Sequence, residues 1–276
     1  MVTVTFPTHI PLNIQDSLVK PYRTIRLTIE YDGTGYSGWQ RQRGAVTVQG
    51  KIEEVLEQLF QQEITLEGSG RTDAGVHALA QVASFRVDTG QNRGILKQGG
   101  RLERKRVGLA LNSLLPNDIV VTDVREMQPD FHARHSARGK RYAYYVLNRA
   151  IGSALSLHRC YFFPQPLNVA AMRRAARELT GRRSFRAFAS ESFKKKSYVR
   201  NLSRLSISRR GDLVRFTLEA DGFLYNMVRN IVGTLLEVGR GKMTPDDVRR
   251  IVKSGKRRLA GPKAPPHGLY LERVFY

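Results

Sequence analysis

The stretch from Thr24 to Tyr31, TIRLTIEY, alternates apolar and polar side chains with a period of two. Ile25, Leu27 and Ile29 therefore share one face with Tyr31, which predicts a strand with one buried side. Beyond this strand, apolar residues recur at helical spacing. The strand thus opens a series of elements that the chain repeats once, and that repeat decides the predicted fold.

The first series occupies the N-terminal part of the chain. After the opening strand it contains a helix, two strands joined by a glycine-rich connection, a second helix halted by a proline, and a closing strand. These are the helix with Ile52, Val55, Leu56 and Leu59, the strands Ile64 to Glu67 and Gln81 to Val87, the helix Val107 to Leu115, and the strand Ile119 to Val124.

The second series begins after Asp130 and has the same order. Its elements are the strand Arg141 to Leu147, the helix Val169 to Leu179, the hairpin strands Leu202 to Ser208 and Leu213 to Ala220, the helix Asn226 to Val238, and the strand Leu269 to Phe275. One further helix, Pro245 to Lys253, precedes the last strand, with Thr244 as its cap.

Both series follow the order strand, helix, strand, strand, helix, strand, which is that of the ferredoxin-like α+β unit. We therefore predict two ferredoxin-like (βαββαβ) halves, each with helices on one face of an antiparallel sheet. The two antiparallel sheets are expected side by side, with an active-site cleft between the halves. The predicted divisions are an N-terminal extension at residues 1–22, an N-terminal domain at 23–127 and a C-terminal domain at 128–276.

The charge of the chain indicates its partner. Its 276 residues include 46 Lys and Arg against 24 Asp and Glu, which gives a formal net charge of +22. Such an excess attracts polyanions and repels other copies of the chain, so nucleic acid is the favoured partner. The competing interpretation is a generally basic surface of the thermophilic or ribosomal kind.

Several classes of protein and site are excluded by what the sequence lacks. The single cysteine, Cys160, excludes an internal disulfide and a cysteine-cluster zinc site. No apolar run is long enough to span a membrane, and residues 1–20 do not have the pattern of a signal peptide. His132 and His135 have no third ligand nearby, so no metal site is expected. We therefore expect a cytoplasmic protein without contact to a membrane.

The densest run of unusual residues extends from Gly68 to Ala78, GSGRTDAGVHA. Its glycines permit close approach of a ligand, and the carboxylate of Asp73 lies two residues from the cation of Arg71. A nearby cation keeps a carboxylate ionised, and a rigid loop fixes its direction, which makes Asp73 a candidate nucleophile. The alternative is an ordinary turn in which Asp73 bonds neighbouring amides.

Two more segments contain candidate functional residues. Cations and tyrosines interleave from Gly139 to Tyr144, with Tyr142 among them, as a surface that holds phosphates and stacks bases requires. In the alternative, these tyrosines pack in the core while Lys140 and Arg141 face water. Arg229 stands in an otherwise apolar helix, so it needs either a carboxylate partner in a cleft or a path to the surface.

Taken together, these segments resemble the TruA family of tRNA pseudouridine synthases over nearly the whole chain after Arg23. The motifs that carry the resemblance are YDGT at 31–34 with GWQ at 38–40, GRTDAGVH at 70–77, KRYAY at 140–144, MVRN at 227–230, and AP at 264–265 with GL at 268–269. Several long motifs in the same order make this resemblance specific.

The resemblance implies an intramolecular isomerase that converts uridine to pseudouridine in the tRNA anticodon stem-loop, at positions thirty-eight to forty. It implies that Asp73 is the nucleophile and that Arg229 pairs with this carboxylate. It further implies that Tyr142 stacks on the target uracil and that Arg71 helps to extrude the nucleotide. Family members are homodimers that bind tRNA and need no metal or cofactor.

Two alternatives to this function remain open. One is a catalytically inert RNA-binding protein or tRNA chaperone on the same fold, against which the joint presence of Asp73, Tyr142 and Arg229 argues. The other is a synthase that acts on another RNA. The chain also departs from a minimal family member in its N-terminal extension and in a basic stretch from Gly99 to Arg106, which adds phosphate contacts or lengthens a loop.

Overall fold

The structure, a computed structural model, describes residues 22–90, 94–96, 103–190 and 197–276. Within these residues the chain forms ten β-strands and five α-helices. The extension predicted at residues 1–22 lies outside the described residues except for Tyr22, and so do residues 99–102 of the basic stretch. None of the described helices has the length and apolar character that crossing a membrane requires.

The first half contains five of the six elements predicted for it. Its elements are β1 (Tyr22–Tyr31), α1 (Val48–Phe60), β2 (Glu67–Gly68), β3 (His77–Asp88), α2 (Arg104–Leu114) and β4 (Ile119–Met127). The long strands form an antiparallel sheet in the order β4-β1-β3, and β2 pairs with β3. Thr47 caps α1 by accepting a hydrogen bond from the Gly50 N–H, and α1 contributes Ile52, Leu56 and Phe60 to the core.

The strand predicted from Ile64 to Glu67 is wrong over most of its length, because β2 is only two residues long. The backbone of Leu66 is bonded instead to side chains of α1. Its carbonyl accepts from Gln49 Nε2 at 2.9 Å, and its N–H donates to Glu53 Oε1 at 3.0 Å. The apolar residues of this segment are buried, but helix side chains satisfy the backbone groups that a partner strand would have paired.

The second half contains every element predicted for it and two short strands besides. Its elements are β5 (Gly139–Leu147), β6 (Tyr161–Phe162), α3 (Val169–Arg177), β7 (Gly181–Ser184), β8 (Val199–Arg210), β9 (Leu213–Ala220), α4 (Met227–Gly239), α5 (Pro245–Ser254) and β10 (Leu269–Phe275). The sheet order is β10-β5-β9-β8-β7 with antiparallel neighbours, and β6 pairs with β5. Helix α3 ends at Arg177, two residues before its predicted end.

The two sheets meet edge to edge. β3 and β10 pair in parallel through two residue pairs, Tyr270 with His77 and Leu271 with Ala78. One open sheet therefore runs from β4 to β7. The predicted α+β class, with largely antiparallel sheets side by side, is confirmed, while the short parallel contact at the seam is an addition to that prediction.

Helix α4 is buried along almost its whole length, and a later segment of the chain lies directly against it. The Ala264 N–H donates to the Arg229 carbonyl at 3.1 Å. Gly233 allows this close approach, because a Cβ atom there would lie 1.7 Å from the carbonyl oxygen of Pro262. The position of α4 therefore depends on backbone packing that leaves no space for a side chain.

We expect Gly233→Ala to lower the free energy of unfolding by about 2–3 kcal/mol, because the added methyl group forces the Pro262 segment away from α4. This loss exceeds the gain in helix propensity, which is about 1 kcal/mol. Gly35→Ala is the matched control, since a Cβ there meets nothing within 4 Å and should change stability by less than about 0.5 kcal/mol. Urea unfolding measures both variants, and equal midpoints would contradict this account of the packing.

Candidate active site

The loop between β2 and β3 carries Asp73, and several hydrogen bonds fix its path. The Ser69 N–H donates to the Val82 carbonyl at 2.7 Å, and the Ser69 hydroxyl donates to Gln81 Oε1 at 2.7 Å. Gln81 Nε2 in turn donates to the Gly70 carbonyl at 2.9 Å. Because Ser69 and Gln81 are fully buried, the start of the loop is anchored to β3 rather than to solvent.

The far side of the same loop is anchored by residues of the first half. The Trp39 N–H donates to the Thr72 carbonyl at 3.1 Å, and the Tyr31 hydroxyl and the Thr72 hydroxyl lie 2.7 Å apart. Trp39 and Tyr31 are both buried, and burial raises the pKa of Tyr31 well above its ordinary value. Thr72 is thus held through both its carbonyl and its hydroxyl. Asp73 is the next residue, so its carboxylate has a defined direction.

Helix α4 brings Arg229 to this carboxylate. Arg229 Nη1 donates to Asp73 Oδ2 at 2.9 Å, so the expected ion pair is present. The guanidinium also donates from Nε to the Ala264 carbonyl at 2.8 Å and from Nη1 to Asn226 Oδ1 at 3.3 Å. The Arg229 side chain is 9% exposed against 24% for Asp73, so the alternative in which Arg229 extends to the surface is wrong.

Asn226 determines where α4 begins. Its backbone is in the left-handed region, with φ at 62°, and it precedes the first residue of the helix. Its side chain accepts from Arg229 and donates from Nδ2 to the Ser190 hydroxyl at 2.6 Å. Asn226 was not among the site residues predicted from the sequence. The available signal was its place three residues before Arg229, on the same side of the helix.

Tyr142 lies on β5, and its side chain is almost completely buried. Its ring contacts the edge of Phe223 with centroids 5.0 Å apart. Burial raises the pKa of Tyr142 well above its ordinary value, and the negative charge of Asp73, with that of Tyr31 when it ionises, contributes to the rise. The phenol is therefore protonated at neutral pH and lies within electrostatic range of Asp73.

Arg71 precedes Asp73 by two residues but is held differently. Its Nε donates to Gln40 Oε1 at 3.0 Å, and the side chain is exposed. The structure therefore groups Asp73, Arg229 and Tyr142 in one partly buried site, while Arg71 lies at its exposed margin. Within the described residues no cluster of His, Cys, Asp or Glu forms a group that could hold a metal ion.

Lys140 is a further cation beside this site, and the sequence left open whether it contacts phosphates or faces water. Its Nζ donates to the Ser69 carbonyl at 2.6 Å, so it contacts the start of the Asp73 loop. Arg141, the next residue, instead pairs with Glu219 on the opposite face of the sheet at 2.8 Å. The two-residue spacing between Lys140 and Tyr142 was the signal that both side chains share one face.

Comparisons with known proteins point to one family. A family model described as tRNA pseudouridine synthase matches residues 27–136 and 175–276, which include Arg71, Asp73 and Arg229 but not Tyr142. The tRNA pseudouridine synthase A of Acetivibrio thermocellus is 45% identical over 254 residues, which cover 92% of this chain and 100% of that protein. With the same coverage, the tRNA pseudouridine synthase A of a Thermoanaerobacter species is 42% identical, and tRNA pseudouridine synthase A 2 of Clostridium perfringens is 43% identical.

Proposed function

The chain belongs to the tRNA pseudouridine synthase family, whose members are isomerases of tRNA uridines, and we propose that it modifies positions thirty-eight to forty of the anticodon stem-loop with Asp73 as the nucleophile. The observation that carries this proposal is the Asp73 carboxylate, held 2.9 Å from a buried guanidinium beside a protonated tyrosine. Because tRNA is the substrate, we place the enzyme in the cytoplasm.

The reaction requires the target uridine to leave the base stack. Extrusion costs a few kcal/mol, which stacking and phosphate contacts in the enzyme offset. In our proposal Arg71 assists this step, because it is exposed, cationic and held at the margin of the site by Gln40. The extruded uracil then stacks on Tyr142, whose aromatic face accepts a base without hydrogen-bond readout.

Asp73 then attacks the ribose C1′ or the uracil C6, and the bond between uracil N1 and C1′ breaks. The base turns and C5 bonds to C1′, while the bond from Asp73 to C1′ or C6 breaks and regenerates the carboxylate. C5 loses its hydrogen as a proton, and N1 gains one. The isomerisation involves no net oxidation or reduction, so a charged carboxylate and a fixed geometry supply the chemistry. Arg229 directs the carboxylate and places a positive charge beside it, and the neutral Tyr142 adds no second negative charge.

The exposed apolar residues suggest how two copies assemble. Ile151, Leu155 and Leu157 lie in the connection between β5 and β6 and are 80%, 91% and 64% exposed. A chain with a net charge of +22 repels its own copies, so a contact between copies needs apolar area that offsets the repulsion. We therefore propose a homodimer in which this connection contacts a second copy of the chain.

Asp73→Asn should abolish turnover while leaving the affinity for tRNA within a few-fold, because the substitution removes a nucleophile and no phosphate contact. The assay is tritium release from tRNA labelled at uridine C5, which reports the loss of the C5 hydrogen. Asp212→Asn, in the turn between β8 and β9, is the matched control and should react as the unaltered protein does. Release by Asp73→Asn near the normal rate would refute the proposed nucleophile.

Tyr142→Phe keeps the aromatic face and should retain most of the stacking on uracil, whereas Tyr142→Ala should lose roughly 1 to 3 kcal/mol of tRNA binding. Because Tyr142 is buried, the alanine variant also leaves a cavity and must be assayed well below its melting temperature. Binding and turnover are measured for both variants. If the alanine variant binds and reacts like the phenylalanine variant, Tyr142 is a core residue without a stacking role.

Leu155→Glu should convert the proposed dimer to a monomer in sedimentation equilibrium, because it places a charge in an apolar contact. Leu109→Glu on α2 is the matched control, since Leu109 is also well exposed, at 64%, but lies in the other half of the chain. The control should keep twice the mass of one chain. A monomeric unaltered protein, or a dimeric Leu155→Glu variant, would contradict the proposed contact.

A further inference from the structure

Lys140 lies on the same face of β5 as Tyr142, since side chains two residues apart on a strand point to the same side. Its ammonium group reaches the loop that carries Asp73 and donates to the Ser69 carbonyl at 2.6 Å. Gly70 leaves the space that the ammonium group occupies, because a Cβ atom there would lie 2.5 Å from Nζ and 3.4 Å from Cε. Lys140 therefore packs against the start of the loop that carries the candidate nucleophile.

Within residues 22–90, 94–96, 103–190 and 197–276 no acidic side chain forms an ion pair with Lys140, and its Nζ donates to the Ser69 carbonyl. Its neighbours across the strand pairs are the apolar residues Ala220 and Val274. A half-buried cation with three donor hydrogens and one acceptor is thus poised to bind an anion.

The surroundings of Lys140 disfavour the charged form of its side chain. Burial and, to a smaller extent, the like charge of Arg134 lower its pKa to about 8. Arg134 is the charged group from the preceding loop that acts on Lys140, while Ser69, Gly70 and the strand partners Ala220 on β9 and Val274 on β10 carry no charge. An incoming anion would relieve both the repulsion and the desolvation of the ammonium group.

The anions of an RNA substrate are its phosphates, and a lysine binds a phosphate as a compact point charge. We propose that Lys140 binds a backbone phosphate of tRNA beside the extruded uridine. This inference rests on the proposed function, because it assumes that tRNA enters the site formed by Tyr142 and Asp73. It assigns Lys140 a direct contact with the substrate in addition to its bond to the loop.

Such a contact makes the affinity for tRNA depend on pH. Phosphate binding stabilises the ammonium form, so the pKa of Lys140 in the complex lies above its value of about 8 in the free protein. The contribution of Lys140 to tRNA affinity is therefore complete below pH 8 and is lost as the pH rises above that value. An arginine at this position stays charged throughout and should not show the loss.

The test measures the dissociation constant of the full chain for an unmodified tRNA transcript as a function of salt and pH. Lys140→Met should weaken binding roughly 10-fold at moderate salt and make the slope of log affinity against log salt shallower by roughly 0.7 to 0.9. Lys140→Arg should keep the slope and remove the loss of affinity between about pH 8 and 9.5. Lys51→Met is the matched control, because Lys51 lies on α1 and pairs with Glu54, and it should leave the pH profile unchanged.

Two outcomes would overturn the inference. In one, Lys140→Met binds with the slope and pH profile of the unaltered protein but reacts more slowly, which would make Lys140 only a support for the Asp73 loop. In the other, Lys140→Arg shows the same loss of affinity above pH 8 as the unaltered protein. If Lys140→Met does not fold, the comparison of Lys140→Arg with the unaltered protein tests the phosphate contact by itself. Binding is measured without turnover, so an unaltered protein that binds tRNA but does not isomerise it would refute the proposed function separately.

Discussion

The ion pair between Arg229 and Asp73 is the interaction on which the site depends. Its carboxylate belongs to a loop of the first half, and its guanidinium belongs to a helix of the second half, so each half supplies one charge. β3 and β10 join the two sheets at the seam between these halves. The short parallel contact through His77 and Tyr270 therefore helps to bring the two charges of the pair together.

Both partners of the ion pair are held by groups to which the proposed reaction assigns no other role. Arg229 is oriented by Asn226 and by the Ala264 carbonyl, and Asp73 follows a residue that Trp39 fixes through its backbone. A guanidinium suits this arrangement because its planar fork makes several directed bonds at once. The difference in exposure, with Arg229 more buried than Asp73, leaves the carboxylate as the accessible end of the pair.

The sequence predicted an element correctly where its local residue pattern matches its place in the folded chain. The strand from Thr24 to Tyr31 is an example. The sequence failed at Leu66, where a buried apolar residue takes its hydrogen bonds from helix side chains rather than from a strand. It predicted the sheets side by side but gave no sign of the parallel pairing that joins them, because a contact of two residue pairs has no local signature. For Arg229 and Lys140 the sequence left a surface position open, since their surroundings come from distant parts of the chain.

The most direct test of the central claim is the single-turnover rate constant of Arg229→Lys. The substitution keeps the positive charge but removes the fork that bonds Asp73, Asn226 and Ala264 together. We predict that the rate constant falls by roughly 100-fold, as expected for a misplaced reacting group. The dissociation constant for tRNA should stay within a few-fold of the normal value. A rate constant close to that of the unaltered protein would contradict the claim that the Arg229 guanidinium directs the nucleophile.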